Sequence, residues 1–362
     1  MKNLLKRITA AALCLMLVLT VTACHKPGET ALTIEGESFT SGFYACAFLS
    51  ADTEAQNRVY EEATKNGEST TVLDYFEKTI DGKSYSEWVK ARAIEICKQM
   101  MAAKKLCEEN KVSTAEYLES AKTNAKTQWQ SNQDYFEKNG IGLASYQNFC
   151  AYEQYAIAYF DYLYGKDGPN EVKEDVLNKY IKDNYFYVNA IDVDVTKMTE
   201  QQLKDQEKEY NDFIVRVEKG ESFGKIYAEA MGSTYSKDDD VTDGKGFSYS
   251  YGMIWGAEGT SYENIMFKDV KEIKENTFKI ITNDTAVEGY KYMLLIYKGD
   301  ILGEKNPNLE TIKTTALDDM KGDEFNEIIV NAAKNIVVSE NIKATKQFKV
   351  EKVYYPENTG SY

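Results

Sequence analysis

The stretch YFYVNAIDVDV, residues 185–195, decides the fold class of this chain. Its β-branched and aromatic residues alternate with other types, a pattern that predicts a strand. Residues 200–219 and 222–231 follow with helical spacing of apolar positions, and strands are predicted over 277–282 and 290–297. One strand, two helices and further strands predict a small α/β unit of about 115 residues.

The chain on either side of this unit is predicted to be mainly helical. Residues 113–116, STAE, have the pattern of a capping box at the start of one helix. The apolar periodicity predicts helices over residues 85–110, 145–164 and 310–334, a shorter helix around 261–267, and a strand over 348–355. Together these elements predict an α+β fold.

Four tyrosines share one side of the predicted helix 145–164, namely Tyr152, Tyr155, Tyr159 and Tyr162. Such a stripe could bind unfolded polypeptide. More often an aromatic stripe at helical spacing is packed core, and that interpretation is favoured.

Composition excludes several classes of protein. The 362 residues include 58 acidic and 43 basic side chains, a net charge of −15, which argues against the basic surface of a nucleic-acid binder. A single histidine leaves almost no basis for a histidine-dependent catalytic or metal site. The acidic loop 238–243 fails the EF-hand pattern, and a solvated loop is the favoured interpretation. We therefore predict no cofactor and no metal.

The N-terminal residues predict a targeting signal. Basic residues precede the apolar run 8–21, which is too short to span a bilayer comfortably. The ending VTAC, residues 21–24, resembles the lipobox of bacterial lipoproteins. This resemblance implies that residues 1–23 are removed, that Cys24 is acylated, and that the protein is held at the extracytoplasmic face of the cell membrane. The alternative is an ordinary signal peptide with an incidental cysteine.

Four further cysteines, Cys46, Cys97, Cys107 and Cys150, could form two disulfides in three pairings. Cys97 and Cys107 share one predicted helix, where ten residues separate them by about 15 Å, too far for a disulfide. Buried, reduced thiols are the favoured interpretation.

Several short motifs occur in a recognisable order. They are TIEGE at 33–37, AAKK at 102–105 followed by KVS at 111–113, EKGESF at 218–223, and GY at 289–290 before the strand. Their order and spacing resemble the PrsA/SurA-type extracytoplasmic foldases, in which a parvulin-like domain is inserted into a mainly helical chaperone domain.

The resemblance implies a domain organisation. Residues 1–23 would be the lipoprotein signal peptide and 24–182 the helical SurA/PrsA N-terminal-like chaperone domain. Residues 183–300 would be the parvulin-like domain, and 301–355 would return to the chaperone domain as a helix and a strand.

The resemblance also identifies where this chain departs from an active isomerase. Parvulins hold two histidines that face each other across the sheet, and the matching positions here are Ile191 and either Lys291 or Tyr292. The only histidine, His25, adjoins the anchor. A further position, which is Cys or Asp in parvulins, falls within residues 233–240 of this chain. The resemblance therefore implies absent or low prolyl isomerase activity, with Tyr262, Phe267, Tyr251 and Trp255 as candidate polypeptide-binding residues.

The function that follows is a lipid-anchored extracytoplasmic chaperone that binds unfolded, newly exported polypeptides without efficient isomerase activity and without nucleic acid. The alternative from another class is an active peptidyl-prolyl isomerase that uses Tyr292 or Lys291 in place of histidine. A weaker alternative is a solute-binding lipoprotein, whose two doubly wound lobes fit poorly with a helical N-terminal half.

Overall fold

The computed structural model describes residues 28–68, 74–257, 268–287 and 290–356. Helices and strands are mixed, as the predicted α+β class requires. The chain forms two compact units, of which the first runs up to Glu171 and resumes at Asp318, and the second is Val172–Leu317. The predicted helix around 261–267 lies outside the described residues.

The first unit consists of helices with short strands. Its strands are β1 Thr30–Ile34, β2 Glu37–Thr40, β3 Thr79–Ile80, β4 Lys83–Ser84 and β9 Val338–Glu340. Its helices are α1 Ser41–Lys65, α2 Tyr85–Glu109, α3 Ala115–Ser131, α4 Gln133–Lys138, α5 Leu143–Tyr164 and α11 Ile342–Thr345, with short 3₁₀ helices at Tyr75–Glu77 and Val350–Lys352.

Capping residues determine where these helices begin. The Thr40 side chain accepts a hydrogen bond from Phe43 N at the start of α1. Ser84 and Glu87 form a reciprocal capping box at the start of α2. The capping box predicted for 113–116 is wrong, because Thr114 is the N-cap of α3 and its side chain makes no capping bond.

The C-terminal segment of the first unit is not the predicted strand. Phe348, Val350 and Tyr354 are buried, which accounts for their alternation in the sequence. The backbone of Tyr354 bonds to the Asn139 side chain, which receives its N–H at 2.9 Å and donates to its C=O at 2.9 Å. Because a side chain satisfies these groups, the segment needs no partner strand.

The short strand β9 was missed by the sequence analysis. It pairs antiparallel with β1 in a three-stranded sheet of order β2-β1-β9. Three residues are too few to show a period, so this strand exists only because β1 offers it an edge.

The second unit contains a four-stranded sheet. Its elements are α6 Glu174–Asn184, β5 Tyr185–Asp194, α7 Glu200–Glu218, α8 Phe223–Ala230, β6 Met253–Ala257, α9 Lys268–Glu272, β7 Thr277–Val287 and β8 Tyr290–Lys298. The strand order is β6-β5-β8-β7, with every neighbouring pair antiparallel. Helix α10, Leu309–Ala333, begins in this unit and ends in the first.

Both faces of the sheet are covered. Face 1 packs against Tyr210 and Phe213 of α7, Phe223 and Ile226 of α8, and Ile312 of α10. Face 2 packs against Val270 of α9 and the nearby Ile273. Successive residues of a strand point to opposite faces, so each side chain of β5 and β8 belongs to one of these two environments.

All four described cysteines are free thiols, with Cys46, Cys97 and Cys107 buried and Cys150 half-buried. Burial raises the pKa of each thiol, to about 12 for Cys107 and Cys150. The favoured interpretation as buried, reduced thiols is thereby confirmed for the first three. Within the described ranges, no helix is both long and apolar enough to cross a bilayer.

Candidate functional site

The two strands that carry the predicted site positions are neighbours in the sheet. In the antiparallel pairing of β5 with β8, Ile191 lies opposite Leu295 and Asp194 lies opposite Tyr292. The predicted positions are therefore three residue pairs apart along the sheet, about 10 Å at the rise of a strand.

The side chains at these positions point in different directions. Ile191 is buried on face 1, within the cluster that α7 and α8 cover. Tyr292 is buried on face 2 in one cluster with Leu294, Ile296 and Val270 of α9. Lys291 is exposed, and its backbone N–H donates to Thr196 Oγ1 at 2.7 Å. Ile191 and Tyr292 thus cannot act on one substrate atom.

Strand alternation identifies the residues that do share a face with Tyr292. Asp192 and Asp194 follow it on face 2, because their partners in the pairing are Leu294 and Tyr292. Both aspartates are exposed. Asp192 was not predicted as a site residue, although it is one residue from the predicted position Ile191. The alternation of side chains along β5 could have indicated Asp192, but only if the pairing register with β8 had been known.

The loop between α8 and β6 is organised around one carboxylate. Asp240 accepts hydrogen bonds from Ser222 Oγ, from Ser248 Oγ at 2.6 Å and from Tyr235 OH at 3.2 Å. Asp240 lies within the segment 233–240 in which the sequence predicted a Cys/Asp position. Three hydroxyl donors use its oxygens, so this carboxylate holds the loop together.

A buried amide joins this loop to the sheet. Asn189 of β5 is fully buried, and its Nδ2 donates to Ser248 O and to Tyr251 O, both at 2.8 Å. Its Oδ1 accepts from Ser248 N at 2.8 Å. All the strong hydrogen-bonding groups of the side chain are used, which fixes the loop against the strand.

Two half-buried rings of the anchored loop, Tyr235 and Tyr251, lie with the half-buried ring of Tyr227 on α8, and we call these three residues the tyrosine cluster. The Tyr251 ring centroid lies 5.6 Å from that of Tyr235 and 6.5 Å from that of Tyr227. Tyr251 OH accepts a hydrogen bond from Ser236 N at 2.9 Å. Met231, which is 46% exposed, follows Tyr227 by one helical turn.

The other predicted binding residues are distributed differently. Trp255 lies on β6, half-buried on face 1, where its ring stacks on Tyr185 at a centroid distance of 6.3 Å. Tyr262, Phe267 and the predicted lipidation residue Cys24 lie outside the described residues. Of the two predicted binding residues that the structure describes, Tyr251 belongs to the tyrosine cluster and Trp255 does not.

The tyrosine stripe of α5, in the first unit, packs mainly into the protein. Tyr152 contacts the Phe39 and Phe43 rings edge-on, and its hydroxyl donates to Glu37. Tyr159 is buried and stacks on Tyr162. The favoured interpretation as packed core is confirmed for Tyr152 and Tyr159.

The tyrosine cluster and the exposed part of face 2 contain hydroxyls, carboxylates and aromatic rings. Burial, followed by the charge of Asp240, raises the pKa of Tyr235, so its hydroxyl stays protonated at neutral pH. Over the described ranges no three His, Cys, Asp or Glu side chains converge on a point that could hold a metal ion. These groups can form hydrogen bonds and aromatic contacts with a polypeptide.

Comparison with known proteins yields resemblances to solved structures. No protein-family model matches the chain, and no curated protein matches it. The foldase protein PrsA from Streptococcus pneumoniae is similar at 14% identity and a TM-score of 0.34, over 74% of this chain and 96% of that one.

PrsA from Bacillus subtilis is similar at 18% identity and a TM-score of 0.29, over 68% of this chain and 84% of that one. PrsA from Lactococcus lactis is similar at 12% identity and a TM-score of 0.36, over 88% of this chain and 96% of that one. The resemblance to PrsA-type foldases is therefore found again among solved structures, at TM-scores that assign neither residues nor function to this chain.

Proposed function

We propose that this protein is a lipid-anchored extracytoplasmic chaperone that binds unfolded exported polypeptides and has no efficient prolyl isomerase activity. The second unit would be the degenerate parvulin-like domain. The first unit, with the C-terminal part of α10, would be the SurA/PrsA-type chaperone domain.

The tyrosine cluster is the observation that carries polypeptide binding. Tyrosines offer a large apolar area and a hydroxyl at little entropic cost, which suits contact with many different sequences. Met231 adds a flexible apolar side chain that adapts to different partners. Asn189 and Asp240 hold the loop that carries Tyr235 and Tyr251, so these rings need little ordering when a client binds.

The opposite orientation of Ile191 and Tyr292 supports the second half of the proposal. Isomerisation must lower a barrier of about 18–20 kcal/mol by acting on one amide from groups that converge on it. Ile191 has no polar group and lies under helices, and Tyr292 is buried on the other face. These positions supply no converging pair.

The chaperone proposal is tested by the aggregation of an unfolded client in the presence of residues 25–362. We expect stoichiometric protein to slow aggregation, and a Met231→Ser/Tyr235→Ser variant to lose at least half of the effect. Val337→Ser, which removes a 70% exposed side chain from the first unit, is the matched control. Failure of the unmodified protein to slow aggregation would overturn the proposal.

Isomerase activity is tested separately by NMR exchange of an Xaa-Pro peptide at increasing protein concentration. We expect exchange at the background rate. Catalysed exchange that Tyr292→Phe abolishes would establish the isomerase alternative instead.

The anchor is tested in cells that process lipoproteins. We expect the full chain to fractionate with membranes and Cys24→Ser to be released. Membrane retention of the Cys24→Ser variant would show that acylation at this residue is not what holds the protein.

A further inference from the structure

A basic segment on the surface of the first unit contrasts with the acidity of the chain. Residues 341–352, NIKATKQFKVEK, contain four lysines and a single acidic residue, Glu351, in a protein of net charge −15. The lysines recur at every third position, 343, 346, 349 and 352. We call residues 341–352 the basic segment.

Buried residues between the lysines hold the basic segment so that the lysines face solvent. Ala344 and Thr345 of α11 are buried, as are Phe348 and Val350. All four lysines are exposed, and among the described residues none of their ammonium groups has an ion-pair partner. These ammonium groups are therefore available to an anionic ligand on the outer side of the segment.

Two apolar side chains beside the lysines are unusually exposed. Val337 is 70% exposed and Ile342 is 68% exposed, whereas no other large apolar side chain of the described residues exceeds 50%. Val337 immediately precedes β9, and Ile342 is the first residue of α11, next to Lys343. Exposed apolar side chains next to lysines are typical of surfaces that bind the interface of a membrane.

The basic segment lies beside the N-terminal end of the described chain. The side chain of Asn341 donates through Nδ2 to Thr30 O at 2.9 Å, and its backbone N–H donates to Ala31 O at 2.9 Å. Thr30 follows Cys24 by six residues in the sequence, a distance of about 20 Å at most. A lipid on Cys24 would therefore bring the membrane within about 20 Å of the strand to which Asn341 is bonded.

We propose that the basic segment, with Val337, docks the first unit onto the anionic lipid headgroups of the membrane that carries the anchor. The ammonium groups attract lipid phosphates, and the exposed Val337 and Ile342 enter the boundary between headgroups and acyl chains. The chain as a whole is acidic and is repelled by the same lipids, so this contact orients an anchored protein and is too weak to retain a free one. The inference rests on the proposed anchoring.

Vesicle binding tests the contact without the anchor. The fragment 25–362 retains every described residue and lacks Cys24. The probes are vesicles of phosphatidylcholine alone and vesicles of phosphatidylcholine and phosphatidylglycerol in equal parts, with which the fragment is sedimented at low salt. We expect binding to the anionic vesicles only, and this binding should weaken as salt increases.

Variants locate the contact in the basic segment. Each lysine near an anionic surface strengthens binding about fivefold, so Lys343→Gln/Lys346→Gln should weaken vesicle binding at least about tenfold. Ile342→Ser should weaken it about fivefold, because the variant loses an apolar side chain that enters the interface. Lys65→Gln/Lys126→Gln makes the same change in net charge at exposed positions on α1 and α3, and should bind as the unmodified fragment does.

Several results would overturn the inference. They are absence of binding to anionic vesicles, equal binding to both kinds of vesicle, and unchanged binding by either Lys343→Gln/Lys346→Gln or Ile342→Ser. Binding of soluble poly(glycerol phosphate) as tight as that of the anionic vesicles would also overturn it, since a phosphate polymer would then be the ligand. Failure of the proposed anchoring is recognised separately in cells with Cys24→Ser, because the fragment 25–362 does not contain that residue.

Discussion

Replacing Glu153 by glutamine should stabilise the first unit, and increasingly so as the pH rises. Glu153 lies on α5, and in the described part of the chain it has no hydrogen-bond or ion-pair partner. Burial raises its pKa from 4.5 to about 8. The folded protein therefore holds this carboxyl protonated at neutral pH, whereas the unfolded chain ionises it.

The sign and size of the effect follow from this difference. Below pH 4.5 both states are protonated and the carboxyl has no pH-dependent effect on stability. Between pH 4.5 and about 8 only the unfolded state ionises, so the free energy of unfolding falls as the pH rises. At about 1.36 kcal/mol per unit, the loss at pH 7 is about 3 kcal/mol. This is a ceiling, because Glu153 keeps partial exposure.

Urea unfolding at pH 5, 6, 7 and 8.5 measures the effect. Trp88 and Trp129 lie in the first unit and Trp255 in the second, so a Trp255→Phe background makes tryptophan fluorescence report the first unit alone. Glu119→Gln, at an exposed position on α3, is the control. A difference between Glu153→Gln and the unmodified protein that stays constant from pH 5 to 8.5 would refute the reasoning.

Three further predictions concern stability and reactivity. Asn189→Ala should destabilise the second unit by about 3 kcal/mol, since it removes the three hydrogen bonds of a buried amide, and an unchanged urea midpoint would contradict this. Gly246→Ala should destabilise more than Gly244→Ala in thermal unfolding. Both glycines have positive φ, but only the Cβ at 246 would lie 2.3 Å from a Val217 methyl, and equal melting temperatures would reject that clash. Of the four cysteines in the described part of the chain, thiol labelling of the folded protein at pH 8, read by mass spectrometry, should modify Cys150 at most, whereas rapid labelling of Cys97 would contradict the burial described.

Elements with a strong local period were predictable from the sequence. The strand predicted over 185–195 is Tyr185–Asp194, and the helix predicted over 85–110 is Tyr85–Glu109. Alternation and helical spacing are properties of neighbouring residues, so they are visible without knowledge of the fold. The burial of Cys46 and Cys97 was likewise predictable, because thiols outside metal motifs usually behave as small apolar side chains.

The candidate site was less predictable, since it depends on a register. A shift of one residue along β5 exchanges the faces of the sheet, which is why Ile191 was selected while Asp192 shares a face with Tyr292. The tyrosine cluster combines Tyr227 of α8 with loop residues that no local pattern brings together. Asn189, which anchors that loop, is an ordinary polar residue of a strand in the sequence.

The sequence by itself determined the class of the chain, the order of most of its elements, its acidity and its shortage of histidine. The tertiary structure alone decided that residues 348–355 pack within the first unit without forming a strand, and that the buried Nε2 of Gln347 has no hydrogen-bond partner among the described residues. The physical reason is the range of the interactions. Periodicity acts between residues a few positions apart, whereas burial and hydrogen-bond satisfaction depend on contacts such as Asn139 with Tyr354, which are distant in sequence.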